Sequence, residues 1–318
     1  MADRAAQGRT TVSSSPRDLA RSGLALAVGS ALLFSTKAIF IKLNYGYDID
    51  GITQLVLRMG FALLLYLALG LYAFSRRRRR GEPTDLSART IAQTCAVGLL
   101  GYYFSVFVDF QGLRYITAQF EQLLLYAYPT FVAILGYVLF RHRLKAAQMA
   151  ALGLTYAGLV VVFVENLVSL GDQVLLGASL VLTSSITYAL YLVLARPLIA
   201  RIGSQLFIAI SMIFGTCCLI THFLIVNGPA AILVPAPVLG FSLGMAILAT
   251  FLPSVLVSEA IARIGPVSTS IAGGVGPIAT SLLAVLILGE PFTLAQALGT
   301  LLVIAGVVVL TRMRSLPP

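Results

Sequence analysis

Four ionisable residues stand inside long apolar runs: Lys37, Arg58, Asp109 and Glu121. A charge at the centre of a membrane segment costs about 2.5 to 3.5 kcal/mol on insertion scales, so it is kept for a cavity, a partner or water. Two chemistries are open to this set. Lys37 and Arg58 can present cations to a carboxylate or other anionic group, while Glu121 or Asp109 contacts an amine or carries a proton. Alternatively, the four pair among themselves and tie helices together, the terminal ones reaching for headgroups. Polar and aromatic residues gather on the same segments: Tyr102 and Ser105 with Asp109, then Gln122, Tyr126 and Tyr128 around Pro129, then Ser184, Ser185 and Tyr188. Spacings of three, four or seven place Tyr102, Ser105 and Asp109 on one helix face and Glu121 with Tyr128 on another. Such a wall suits an amphipathic metabolite, with tyrosines against its apolar part; it suits helix packing and interface belts equally.

The elements that must position these residues are membrane helices. The chain has 318 residues, 58% of them hydrophobic and 11% charged, and a mean hydropathy of +0.95, far from an ordinary soluble domain. A bilayer core needs roughly 20 apolar residues per helix. Ten such segments are found, near 22–43, 52–74, 90–110, 118–140, 146–164, 174–195, 205–226, 237–261, 267–288 and 293–311. At 1.5 Å per residue, Lys37 lies about 9 Å from the end of the first, Arg58 about 9 Å into the second and Glu121 about 5 Å into the fourth. All four charges therefore belong to one side of the first half. Lys42, at the end of the first segment, is expected to snorkel, and His222 and Glu259 to face water or headgroups.

The net charge of +10 does not indicate nucleic acid, because the cations sit in short gaps between apolar runs rather than along one face. Most fall on alternate gaps: Arg4, Arg9, Arg17 and Arg21; the arginines at 76–80 with Arg89; Arg141, Arg143 and Lys145; Arg196 and Arg201; Arg263; Arg312 and Arg314. The other gaps hold Arg114 with Asp48, Asp50, Glu165, Asp172 and Glu290. By the positive-inside rule both termini are cytoplasmic. The polar N-terminal stretch reads as a retained tail rather than a signal peptide. Cys95, Cys217 and Cys218 lie inside apolar runs and read as small apolar fillers, with no disulfide or metal framework. No Gly-rich phosphate loop, HExxH or Cys/His metal spacing is present, so neither an enzyme nor an ATP-driven pump is indicated, and no cofactor is expected.

The chain states its plan twice. A shift of 148 positions, without gaps, lays Ile116, Pro129, Leu135, Ala147, Gln148, Gly158 and Val161 on Ile264, Pro277, Leu283, Ala295, Gln296, Gly306 and Val309. Five segments per copy is an odd number, so the copies cross the membrane in opposite senses. Pro129 removes a helical hydrogen bond, and Pro277 stands among Gly273, Gly274 and Gly276. Breaks at matching places in inverted halves point to a central transport site and its gating, although prolines and glycines also serve packing alone. Gly153 and Gly158 with Gly299 and Gly306 suggest close helix contact or a homodimer interface.

The segments GLRYITAQ, Pro129 and RHRLKAAQ, and in the second half AIARIGPV, Pro277 and LILGEPFTLAQALG, resemble the paired EamA-type repeats of the drug/metabolite transporter superfamily. The first span departs from the pattern of that superfamily, with Phe34 and Ser35 where a Trp-Gly pair is common. The resemblance implies an all-α polytopic membrane protein of ten transmembrane helices in two inverted five-helix repeats, lodged in the bacterial inner membrane. It divides the chain into a cytoplasmic tail (1–21), a first repeat (22–164), an inverted second repeat (165–311) and a cytoplasmic C-terminus (312–318). It also implies efflux of amino acids, related metabolites or drugs by alternating access, with proton coupling for which Glu121 is the candidate carboxylate. Partners are then a small-molecule substrate and membrane lipid. A nucleotide-sugar or phosphorylated-metabolite transporter, favoured by a Lys37 and Arg58 pair, and a non-transporting membrane scaffold are the alternatives.

Overall fold

Where the apolar segments were expected, the computed structural model places helix, and among its described residues (16–82, 84–140 and 146–314) there is no strand. The basic connection with Arg141, His142, Arg143 and Lys145, and the tail residues Arg4 and Arg9, lie outside the described residues. Among the described residues, seven helices are long and apolar enough to cross a membrane, with shorter apolar helices at Val275–Leu288 and Leu294–Leu310. The fourth span is built of two helices, Ala118–Tyr126 and Tyr128–Phe140. Polar side chains start several spans. The Asp50 carboxylate accepts the amides of Ile52 and Thr53, the Ser87 hydroxyl accepts that of Thr90, and the Thr117 hydroxyl that of Phe120, each satisfying a donor the helix leaves free.

The repeat is visible in local geometry as well as in sequence. The third span passes through a wide, π-helical stretch at Leu99–Phe104 and the eighth through one at Ile247–Phe251, the same register under the shift of 148. The fourth span is interrupted at Ala127, and the chain turns again at Gly273 and Gly274, before Val275. Local helical geometry continues over Leu252–Ala272, without the expected connection between spans eight and nine, yet the chain reverses within it. Along the first span, Ser30 donates to the Pro253 carbonyl, Gly23 abuts Ile264 and Ser35 donates to the Gly276 carbonyl. The contacts descend and then climb again, so spans eight and nine remain antiparallel and flank span one.

Small residues let the halves approach. Spans five (Ala146–Leu170) and ten (Leu294–Arg314) meet where a Cβ on Gly158 would lie 2.6 Å from the Gly299 carbonyl oxygen and 2.9 Å from Leu302 Cβ. Gly306 faces Thr155 and the Ala151 carbonyl, whereas nothing lies within 4 Å of a Cβ at Gly153. Gly158, Gly299 and Gly306 therefore serve a contact inside the chain, not the homodimer interface considered from sequence. Because backbone rather than a flexible side chain blocks the space, Gly158→Ala is expected to destabilise by about 1–3 kcal/mol, read as a lower midpoint of thermal unfolding in detergent.

Candidate functional site

The site begins where span one breaks. Its helices are Pro16–Phe34 and Thr36–Tyr45, and the fully buried Ser35 between them shares its hydroxyl between the carbonyls of Ala31 (2.7 Å) and Gly276 (2.9 Å). Thr280 returns a bond to the Ser35 carbonyl. The break of span one is thus joined to the glycine-rich turn that interrupts span nine, just before Pro277. That proline has no N–H for the carbonyl four residues earlier. In span four, Pro129 denies a donor to the Leu125 carbonyl in the same way, and the Ser185 hydroxyl of span six faces that oxygen at 3.4 Å.

Two residues past its break, span one delivers Lys37. Its ammonium lies 2.7 Å from Asp109 Oδ2 of span three and 2.6 Å from Glu121 Oε1 of span four. All three side chains are at most 4% exposed. Lys37 Nζ also lies 5.6 Å from the centre of the Phe34 ring. With all three ionised, one cation between two carboxylates would leave an excess negative charge in a medium that tolerates it poorly. Arg58 of span two is within Coulombic reach of both carboxylates. It does not join the cluster directly: its Nε donates to Thr250 Oγ1 of the second repeat at 2.7 Å, and the guanidinium stands 5.5 Å from the centre of the Phe110 ring. Thr250 lies in the π-helical stretch of span eight, at the repeat position of Tyr102. Three buried polar atoms here have no hydrogen-bond partner among the described residues: Asp109 Oδ1, Glu121 Oε2 and Arg58 Nη1. Gln122 Oε1 is a fourth, and Gln122 Nε2 would lie 3.5 Å from a Cβ on Gly276.

The polar wall divides into two neighbourhoods. Asp109 and Glu121 turn to Lys37. Tyr102 instead pairs its hydroxyl with that of Tyr191 at 2.9 Å, and Tyr188 stacks on Tyr191 with ring centres 5.6 Å apart. Tyr128 meets Tyr188 edge to face at 5.5 Å. Ser105 bonds Ser184 through hydroxyl and carbonyl, both at 3.0 Å. The expected shared face of Glu121 and Tyr128 fails because the interruption at Ala127 falls between them. Tyr126 is buried in the apolar cluster with Ile116 and Phe120. Tyr191 is not marked by the sequence; the structure brings it in through Gly101 across the interface, where a Cβ would fall 2.5 Å from the Tyr191 ring. Lys42 does not snorkel, since its ammonium donates to the Ile116 carbonyl at 2.6 Å. His222 is half-buried and bonded to Tyr103 at 2.8 Å, while Glu259 is exposed and pairs with Arg263 at 3.4 Å.

Interrupted spans around a buried charge cluster, in two structurally repeated halves, make a polytopic helical membrane protein. A model of the EamA-like transporter family matches residues 21–164 and again 175–312, and the chain belongs to that family. The uncharacterized transporter YcbK of Bacillus subtilis (strain 168) is 29% identical over 294 residues, which is 89% of this chain and 90% of the relative. An uncharacterized transporter of Archaeoglobus fulgidus is 25% identical over 293 residues, 92% and 97% of the two chains. A crystallised protein 18% identical to this one superposes with a TM-score of 0.60, over 93% of this chain and 99% of its own, and shows a common fold.

Proposed function

We propose that this membrane transporter exports small organic metabolites, amino acids with aromatic or hydrophobic side chains among them, by alternating access driven by proton exchange. In this reading it lies in the bacterial inner membrane with both termini in the cytoplasm, so the arginine-poor ends of the helices, with Arg114 and Glu290, face outward. The observation that carries it is the Lys37–Asp109–Glu121 cluster, buried beside the joined breaks of spans one and nine. The unpartnered carboxylate oxygens suit an ammonium group and the unpartnered Arg58 Nη1 suits a carboxylate. If all four groups are ionised their charges cancel, which favours a zwitterionic solute over a multiply charged anion. The tyrosines Tyr102, Tyr128, Tyr188 and Tyr191 supply an apolar, hydrogen-bonding flank.

A nucleotide-sugar or sugar-phosphate substrate would call on Lys37 and Arg58 as a cationic pair. Both carboxylates already hold Lys37, so that reading is the weaker. Thermal unfolding of the purified protein against a ligand panel separates them. Aromatic and branched amino acids are expected to raise the midpoint; a ligand at a hundred times its Kd stabilises by about 2.7 kcal/mol. A rise with nucleotide sugars or sugar phosphates alone would overturn the proposed substrate class.

A further inference from the structure

We propose that Glu290 is a latch that holds the outer gate shut, acting across the repeats on the broken half of span four. It rests on the alternating-access reading above. Gly289, at φ 68°, ends span nine in the left-handed conformation that glycine adopts without strain. The turn brings Glu290 to the start of the helix Ala118–Tyr126. Its Oε1 accepts the Ala118 amide at 2.8 Å and its Oε2 the Gln119 amide at 3.4 Å. The Gln119 side chain donates back to the Pro291 carbonyl at 3.1 Å. A carboxylate from the second repeat thus occupies the positive end of a first-repeat helix, where its charge is stabilised.

What distinguishes this contact from an ordinary cap is what it restrains. The helix it holds is nine residues long, is cut off from the rest of span four at Ala127, and carries Glu121 and Gln122 in the turn after the cap. Releasing the cap frees a short lever that bears the central charge. Beside it a pocket of about 430 Å³ opens, lined by Lys42, Arg114, Thr117 and Glu290 among others. The Lys42 bond to the Ile116 carbonyl, just before the helix, braces the same point from span one. Breaking the Glu290 contact lets the half-helix swing and opens the path from outside to the cluster.

Two reporter cysteines, in a background with Cys95, Cys217 and Cys218 replaced by serine, test this: Gln122→Cys, on the outer side of the break, and Leu192→Cys, two turns beyond Ser185 toward the arginine-bearing end of the same helix. Each is labelled with a membrane-impermeant maleimide, in right-side-out and in inverted vesicles respectively, with and without Glu290→Gln. The latch predicts at least a tenfold faster labelling of the outer reporter in Glu290→Gln and slower labelling of the inner one, because opening one side draws population from the other. An unchanged outer rate overturns it. Faster labelling of both reporters also overturns it, since that marks general loosening rather than a gate. If both reporters label in the parent background but neither responds to Glu290→Gln, the latch fails while alternating access stands. If opposite reporter responses appear while the chain without reporter cysteines carries no solute flux, the latch stands and the export reading fails.

Discussion

Lys37→Ala is expected to lose transport by at least a hundredfold and to destabilise the folded protein. Lys37 is the only cation bonded directly to Asp109 and Glu121 among the described residues. Deleting one partner of a buried ionic group leaves uncompensated charge and costs about 3–5 kcal/mol. Loss of stability alone would be equally expected of a scaffold whose helices the cluster merely ties. The neutral triple variant Lys37→Met, Asp109→Asn, Glu121→Gln separates the two. It removes the charges together at similar volume, which is often neutral or stabilising for a buried ionic cluster. Arg58, which keeps Thr250 and the Phe110 ring, is then the one charge of the set left, so partial recovery of the unfolding midpoint is expected relative to Lys37→Ala, with transport still absent. A triple variant that transports as the wild type does would remove the cluster from the transport site.

Glu121→Gln is expected to abolish the pH dependence of transport and to lower flux driven by a proton gradient at least tenfold. The substitution keeps shape and one hydrogen-bond acceptor toward Lys37, and Asp109 still pairs that lysine at 2.7 Å, so folding is largely retained. What it removes is a buried group able to bind and release a proton beside the substrate. Flux measured in proteoliposomes at several imposed pH differences reads the effect, and pH-dependent flux that survives Glu121→Gln would exclude it as the coupling carboxylate.

The sequence carried the architecture because membrane spans and inverted repeats are written in one dimension, as length, hydropathy and register. Pro129 and Pro277 marked two of the interruptions through the donor each lacks. The break at Ser35 had no such mark: neither glycine nor proline stands there, and the hydroxyl that accommodates it bonds a carbonyl 241 residues away. The four intramembrane charges were legible as a set from their cost in lipid. Their partition was not, because the choice of Asp109 and Glu121 for Lys37, and of Thr250 for Arg58, is made by helices packing across the two repeats. The same holds for Tyr191, one tyrosine among several on apolar spans until Gly101 admits its ring. Glu290 read as an ordinary residue of an outer loop, since capping another helix from 172 residues away leaves no local pattern.

Export of a metabolite through the Lys37–Asp109–Glu121 site must leave its product outside the cell. Untargeted mass spectrometry of the culture medium tests it most directly, with cells producing wild type, Glu121→Gln or neither, matched for protein in the membrane. At least one small zwitterionic metabolite is expected to be enriched in the medium by the wild type and not by Glu121→Gln. Media identical in all three cultures, or enriched equally by wild type and Glu121→Gln, would contradict it.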